Sequence, residues 1–233
     1  MSLPDLFTPY SATVAEVLRH YDGGHATDDG AHDASHLSRV WALVRQIAAD
    51  VPGVDEEALA VATLLHDCVS VEKNSPDRAR ASTLAANVAS ELLTRMQWPA
   101  ARIECVAHAI AAHSFSAGIV PMTDEARILR DADRLDALGA VGIARVFYIA
   151  GRLGSRLYDP ADPFAQHRAL DDATFALDHF ERKLLHLADG LCTPAGQRIG
   201  RERTDVMRAF LAQVRSEVGA GGLTDGGGAG EGR

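Results

Sequence analysis

Apolar residues recur along most of the chain at steps of three and four, the period of a helix buried along one side. From Ser35 onward the stripe is Leu37, Val40, Leu43, Val44 and Ile47. In "DEEALAVATLLHDC" it is Leu59, Ala62, Thr63 and His66, which puts an imidazole among core-facing positions. "STLAANVASELLTRM" is rich in good helix formers and ends before Pro99. "PAARIECVAHAIAAHS" opens on a proline, tolerated at a helix start because the amide it lacks has no partner there. "TDEARILRDADRLDALGAVGIARVFYIAG" carries two turns of charge and then small residues, where Gly139 and Gly142 predict close helix packing. "RLYDPADPFAQHRALDD" breaks the period with prolines and aspartates and predicts a loop. Helices are expected over about 172–188 and from Thr193-Pro194, the latter with Met207, Phe210, Leu211, Val214 and Val218 on one face. No strand alternation runs beyond a few residues. The expected fold is all-α, an irregular multi-helix bundle over 1–218, with the Gly-rich stretch 219–233 a flexible tail that can bury nothing.

Composition narrows the function classes. The 233 residues, 47% of them hydrophobic, suffice for a single sizeable core. A net charge of −9 gives no sign of sequence-independent binding to a nucleic-acid polymer, while a few local Arg and Lys residues can still hold a small anion. Cys68, Cys105 and Cys192 are odd in number and lack CxxC spacing, so they read as reduced thiols. No apolar run approaches the ~20 residues that span a bilayer, and the N-terminus lacks the layout of a secretory signal. The expectation is a soluble cytoplasmic protein, monomer or homodimer, with no membrane partner.

Two His-Asp doublets carry candidate chemistry, His32-Asp33 and His66-Asp67. Asp33 precedes a strongly periodic run and is placed to cap it, whereas His36 shares a face with Val40, Leu43 and Ile47. Asp67 sits about 100° round the helix from His66, and a buried acid there needs compensation, which a shared cation supplies. In "RDADRLDALGA", Asp131 and Asp133 diverge by about 200° on a straight helix, so only one can face a given ion. Asp133 has Leu129, Ala137 and Ala140 on its face; Asp131 reads as a solvated acid or an indirect supporter, and Asp136 as a residue that orients a ligand. The candidate metal set is therefore His36, His66, Asp67 and Asp133.

The blocks "HDASHLSRVW", "HDCVSVEKN", "HAIAAHSFSAGI", "DADRLDALGAVGIARVF" and "DPFAQHRALDD", in this order, resemble the HD-domain metal-dependent phosphohydrolase superfamily, and within it small stand-alone bacterial HD hydrolases. The likeness runs from about Tyr10 to Val218. It implies an HD-domain helical bundle in which His66-Asp67 is the doublet that names the family. It also implies hydrolysis of a small phosphorylated substrate, a nucleotide or related metabolite, by metal-activated water attacking phosphorus. The expected cofactor is one divalent ion (Mn, Mg, Co, Ni, Fe or Zn), which mixed imidazole and carboxylate ligands suit. Asp67 is implied as an acceptor for the water's proton. Lys73 is expected as the catalytic cation, and Arg39, Lys73, Arg78, Arg80 and His113 as the substrate contacts, since developing phosphate charge calls for N–H donors. Many HD relatives place an acid where this chain has Ser70. Two other functions stay open at this level: a di-iron HD oxygenase, with His108 and His113 completing a second site, and a non-catalytic nucleotide sensor.

Overall fold

The stripe beginning at Leu37 forms α2 (Ala34–Ala48), which buries His36, Val40, Trp41, Leu43, Val44 and Ile47. α2 belongs to a computed structural model of the protein that describes residues 2–21, 34–69 and 80–219. Ahead of it, a 3-10 turn at Pro4–Phe7 leads into α1 (Ser11–His20). α3 (Glu56–Leu65) is buried on every side from Ala58 to Leu65, which explains its near-continuous apolar sequence. α4 (Ala81–Arg95) and α5 (Ala100–His113) follow, with Pro99 at the N-cap position of α5. α5 packs against α3, α4 and α6 (Asp124–Asp136), and α2 crosses α3 and α6. Five helices, α2 to α6, are thus held around one core, and the beginning of α2 comes to the ends of α3, α5 and α6.

Asp55 shows how local chemistry pins α3. Its carboxylate accepts from the Ala58 amide at 2.9 Å, capping the helix, and receives the Arg102 guanidinium fork at 2.6 and 2.9 Å. Burial alone would raise the Asp55 pKa, but Arg102 and the Ala58 amide outweigh it and hold it below the ordinary carboxylate range. Asp55→Ala is expected to cost about 1–2 kcal/mol at neutral pH, as lost helix caps do. Because the folded-state pKa is depressed, this contribution is present above the unfolded-state value and fades as pH falls through the folded one. Urea unfolding at neutral and acid pH checks it: the gap between wild type and variant should shrink in acid.

α6 stops at Asp136 and α7 (Gly139–Leu153) starts three residues later. Gly139 has φ +73°, open to glycine at little cost, and turns the chain between the two helices. Gly142 allows close packing: a Cβ there would collide with the Ala137 carbonyl and the Met207 methyl. The helix expected over 172–188 is much shorter. α8 spans only Asp178–Arg182, followed by a 3-10 turn at Leu184–Gly190. Asp178 is buried and takes the Arg168 fork at 2.5 and 2.8 Å and the Asp171 amide at 2.7 Å, so side-chain bonds close turns where helix was expected. α9 (Pro194–Gly219) carries Met207 and Leu211 into the core. Strand pairing among the described residues amounts to a single bridge, Arg156 with Phe175. No described helix is long and apolar enough to cross a membrane.

Candidate metal centre

His36 enters from the first turn of α2, and the tautomer of its ring follows from its partner. Nδ1 lies 2.8 Å from Asp136 Oδ2, and a carboxylate only accepts, so Nδ1 carries the proton and Nε2 keeps its lone pair. His66 obeys the same logic from the C-cap of α3, with Nδ1 donating to the Thr63 carbonyl at 2.8 Å. The two Nε2 atoms face each other 3.4 Å apart with both rings buried. Two lone pairs at that distance repel unless a cation lies between or beside them. Burial, with the neighbouring imidazoles adding to it, holds the His66 pKa below the ordinary value against the pull of Asp67 and Asp133. The ring therefore stays neutral and available as a ligand.

The carboxylates complete the group. Asp67 lies in the turn after α3 and brings Oδ2 to 3.5 Å from His66 Nε2. Asp133 Oδ1 stands 3.7 Å from His36 Nε2 and 3.8 Å from His66 Nε2. One ligand atom each from His36, His66 and Asp67 lies within 4.8 Å of the others, and Asp133 joins through the two imidazoles. Neither acid is deeply buried, since Asp67 is 34% and Asp133 26% exposed. The imidazoles form the floor and the acids the rim, so water already softens the compensation that the sequence suggested a buried Asp67 would need. The donor set fits a divalent ion on the observation that matters most: both histidines have their second nitrogen tied down and their first aimed inward.

The aspartates of α6 separate into different roles. Asp136 is 1% exposed; besides His36 it receives Arg39 Nε at 2.6 Å, Arg39 Nη2 at 3.1 Å and Arg145 Nη1 at 2.6 Å. Burial would raise its pKa, but the hydrogen bonds and charges of His36 and Arg39 hold it far below the ordinary range. Arg39, expected as a substrate contact, thus turns its fork onto the acid that orients His36. Asp131 corrects an expectation: it is not a solvated acid but fully buried. It accepts the Cys192 amide at 2.8 Å and the Thr193 amide and hydroxyl at 2.7 Å each, anchoring the start of α9.

His113, at the end of α5, comes into the cluster. Its Nδ1 donates to the Ile110 carbonyl at 2.6 Å, its Nε2 lies 3.5 Å from Asp67 Oδ1, and its ring meets the His66 ring edge-on at 4.9 Å. Burial works against its charged form, but Asp67 and Asp133 prevail and raise its pKa. His108 goes elsewhere, its Nε2 accepting the Met122 amide at 2.8 Å, so the two histidines of α5 do not pair as a second metal site requires. Arg80 is exposed at the N-cap of α4. Lys73, Arg78, Ser70 and the His32-Asp33 doublet lie outside the described residues. Sequence reasoning missed Arg145, whose place beside Asp136 has no local signature, and Arg134, taken up below.

Comparison with known proteins identifies the family. Residues 33–138 match the HD domain family. The chain is 32% identical over 209 residues to the uncharacterized protein YpgQ of Bacillus subtilis, covering 88% of this chain and 93% of that protein. A solved HD-superfamily hydrolase from Bacillus thuringiensis superposes with a TM-score of 0.65 at 28% identity, covering 91% of this chain and 97% of the other. The structure of Bacillus subtilis YpgQ in complex with ADP superposes with a TM-score of 0.63 at 29% identity, over 93% and 97% of the two chains.

Proposed function

The chain belongs to the HD-domain superfamily of small stand-alone hydrolases, and on that footing we propose that it hydrolyses a phosphate bond in a nucleotide or related small phosphorylated metabolite. The observation that carries this is the convergence of His36 Nε2 and His66 Nε2, 3.4 Å apart, with the Asp67 and Asp133 carboxylates on their open side. These four residues would hold one divalent ion. Such an ion acidifies water and draws charge from a phosphoryl oxygen. The ADP bound by YpgQ supports a nucleotide as ligand here.

Asp67 has its two oxygens turned to different neighbours, Oδ2 to His66 and Oδ1 to His113. It can therefore serve as a ligand through one and accept a proton through the other. His113, whose Nδ1 already donates to a carbonyl, holds its second proton at Nε2 when charged, beside the rim acid Asp67. That is where a phosphate oxygen needs a donor, so His113 is assigned to substrate. Lys73, Arg78 and Arg80 are proposed as further cations around the phosphate. Arg39 contributes through Asp136, keeping the His36 ring in place. The separation of His108 from His113 favours one ion over two, and hydrolysis over oxygen chemistry.

The test is release of phosphate and pyrophosphate from nucleoside mono-, di- and triphosphates by metal-stripped protein reloaded with Mg²⁺, Mn²⁺, Co²⁺, Ni²⁺ or Zn²⁺ in turn. Metal-dependent release is expected, and the product identifies the bond broken. No release with any of these ions would overturn the proposal.

A further inference from the structure

Arg134 is buried among residues that leave it short of acceptors. Nη1 donates to the Gly190 carbonyl at 3.0 Å, but Nε and Nη2 are shielded from solvent and meet no acceptor among the described residues. Three N–H bonds of one guanidinium are thereby unmet, in a group that holds its charge under all ordinary conditions. Buried donors are nearly always paired, so an unpaired set on a cation calls for a missing partner. Arg130, one turn earlier on α6, repeats the pattern: Nη1 reaches the Ile119 carbonyl at 3.3 Å, while Nε is buried without an acceptor among the described residues. Burial and the positive charge of Arg130 both work against the Arg134 cation. Two like charges with spare donors on one helix face are costly to assemble for structure alone, because a single neutral side chain would fill the space without that repulsion.

Position gives the missing partner its chemistry. Arg134 directly follows the rim acid Asp133 in α6, and both the buried Asp131 and Asp133 attract its charge. Above the guanidinium sits the Phe115 ring, with Cζ 5.2 Å from the centroid. Phe115 is 71% exposed, in the turn that leaves α5 two residues after His113. A large apolar side chain so exposed, covering a cation that lacks acceptors, is placed to swing aside when a better partner arrives. A guanidinium fork prefers the planar, two-oxygen face of a phosphate to a ring quadrupole.

We propose that Arg134 and Arg130, under a cover formed by Phe115, make an oxyanion pocket beside the metal centre. This pocket takes a second charged group of the ligand whose first phosphate lies against His36, His66, Asp67 and Asp133. It rests on the reading that the centre receives a phosphorylated ligand, and adds a demand that the ligand carry two oxyanions.

The test uses the full chain at fixed Mn²⁺, with inorganic pyrophosphate and orthophosphate as calorimetric probes and bound metal measured in parallel. A probe that bridges both positions gains from effective concentration, so pyrophosphate should bind wild type at least roughly tenfold tighter than orthophosphate. Arg134→Lys keeps a positive charge but loses the fork, and should remove that advantage with metal content unchanged. Arg130→Ala should weaken pyrophosphate several-fold, and Phe115→Ala, at an exposed position, should speed its association. Full pyrophosphate advantage in a folded, metal-loaded Arg134→Lys overturns the pocket. If that variant fails to fold, unchanged affinity in Arg130→Ala with unchanged association in Phe115→Ala does so. Orthophosphate binding that depends on Arg134 as strongly as pyrophosphate binding overturns the bridging of one ligand. The failures are separable: Arg134-dependent binding without hydrolysis of any ester sinks the proposed activity and leaves the pocket. Hydrolysis with wild-type binding in Arg134→Lys does the reverse.

Discussion

Replacing Asp67 with alanine is expected to lower metal-supported hydrolysis by on the order of a thousandfold or more, about 4 kcal/mol of transition-state stabilisation. The size of the effect follows from the number of roles one carboxylate fills. Asp67 supplies one oxygen to the metal group, within 4.8 Å of the His36 and His66 ligand atoms, and offers the other to His113 at 3.5 Å. Its loss weakens ion binding and removes a proton acceptor in one step. The fold should survive, because Asp67 is one-third exposed and lies in the turn beyond α3, outside the apolar core. Circular dichroism should be unchanged, bound metal should fall, and activity should not return at high metal concentration. An Asp67→Ala protein within tenfold of wild type at saturating metal would remove this residue from the chemistry. Asp67→Asn keeps size and one acceptor oxygen; it should recover metal binding better than activity, separating the two roles.

Asp136→Asn is expected to weaken divalent-metal binding roughly 10–100-fold, as loss of a ligand-orienting partner does, although Asp136 belongs to no ligand set itself. His36 can offer Nε2 only while Nδ1 is held as a donor, and the acceptor is Asp136 at 2.8 Å. The same carboxylate joins Arg39 and Arg145, each with a contact at 2.6 Å. Asp136→Ala goes further, leaving two guanidinium groups around a void, and should cost about 3–5 kcal/mol of stability, as breaking buried charge networks does. The pH dependence has a definite sign. With its folded-state pKa depressed, Asp136 stabilises the fold above the ordinary carboxylate range, and its contribution is lost progressively as pH falls toward the folded value. The asparagine variant should therefore lose less stability than wild type between neutral and acid pH. Metal titration at neutral pH and thermal unfolding across pH are the measurements. Metal affinity within twofold of wild type in Asp136→Asn would show that His36 needs no such partner.

Much of this protein was legible before any coordinates. Helical period marked most of α2 to α6 because a helix packed on one side hides a stripe, and a stripe is a property of local sequence; α3 hides every side instead and reads as a near-continuous apolar run. The kinds of ligand were legible too: His36 and His66 stand on apolar faces, where an imidazole needs a reason. The main misreading along the chain, a helix over 172–188, failed because the buried Asp178 makes an ion pair with Arg168 that helical periodicity cannot display.

What the sequence by itself determined, then, is the set of helices, the faces they hide and the residue types that converge as candidate ligands. Only the tertiary structure decided what each polar group meets. Asp131 and Asp133 are two residues apart and chemically identical, yet one anchors α9 and the other lines the metal group. His36 and Asp136 are 100 residues apart and share a hydrogen bond. Arg134 shows its unmet donors only once its neighbours are in place. The physical reason is one of range. Helical period is set by bonds between residues four apart, but a side chain's partner is set by which helices pack together, and packing joins distant parts of the chain.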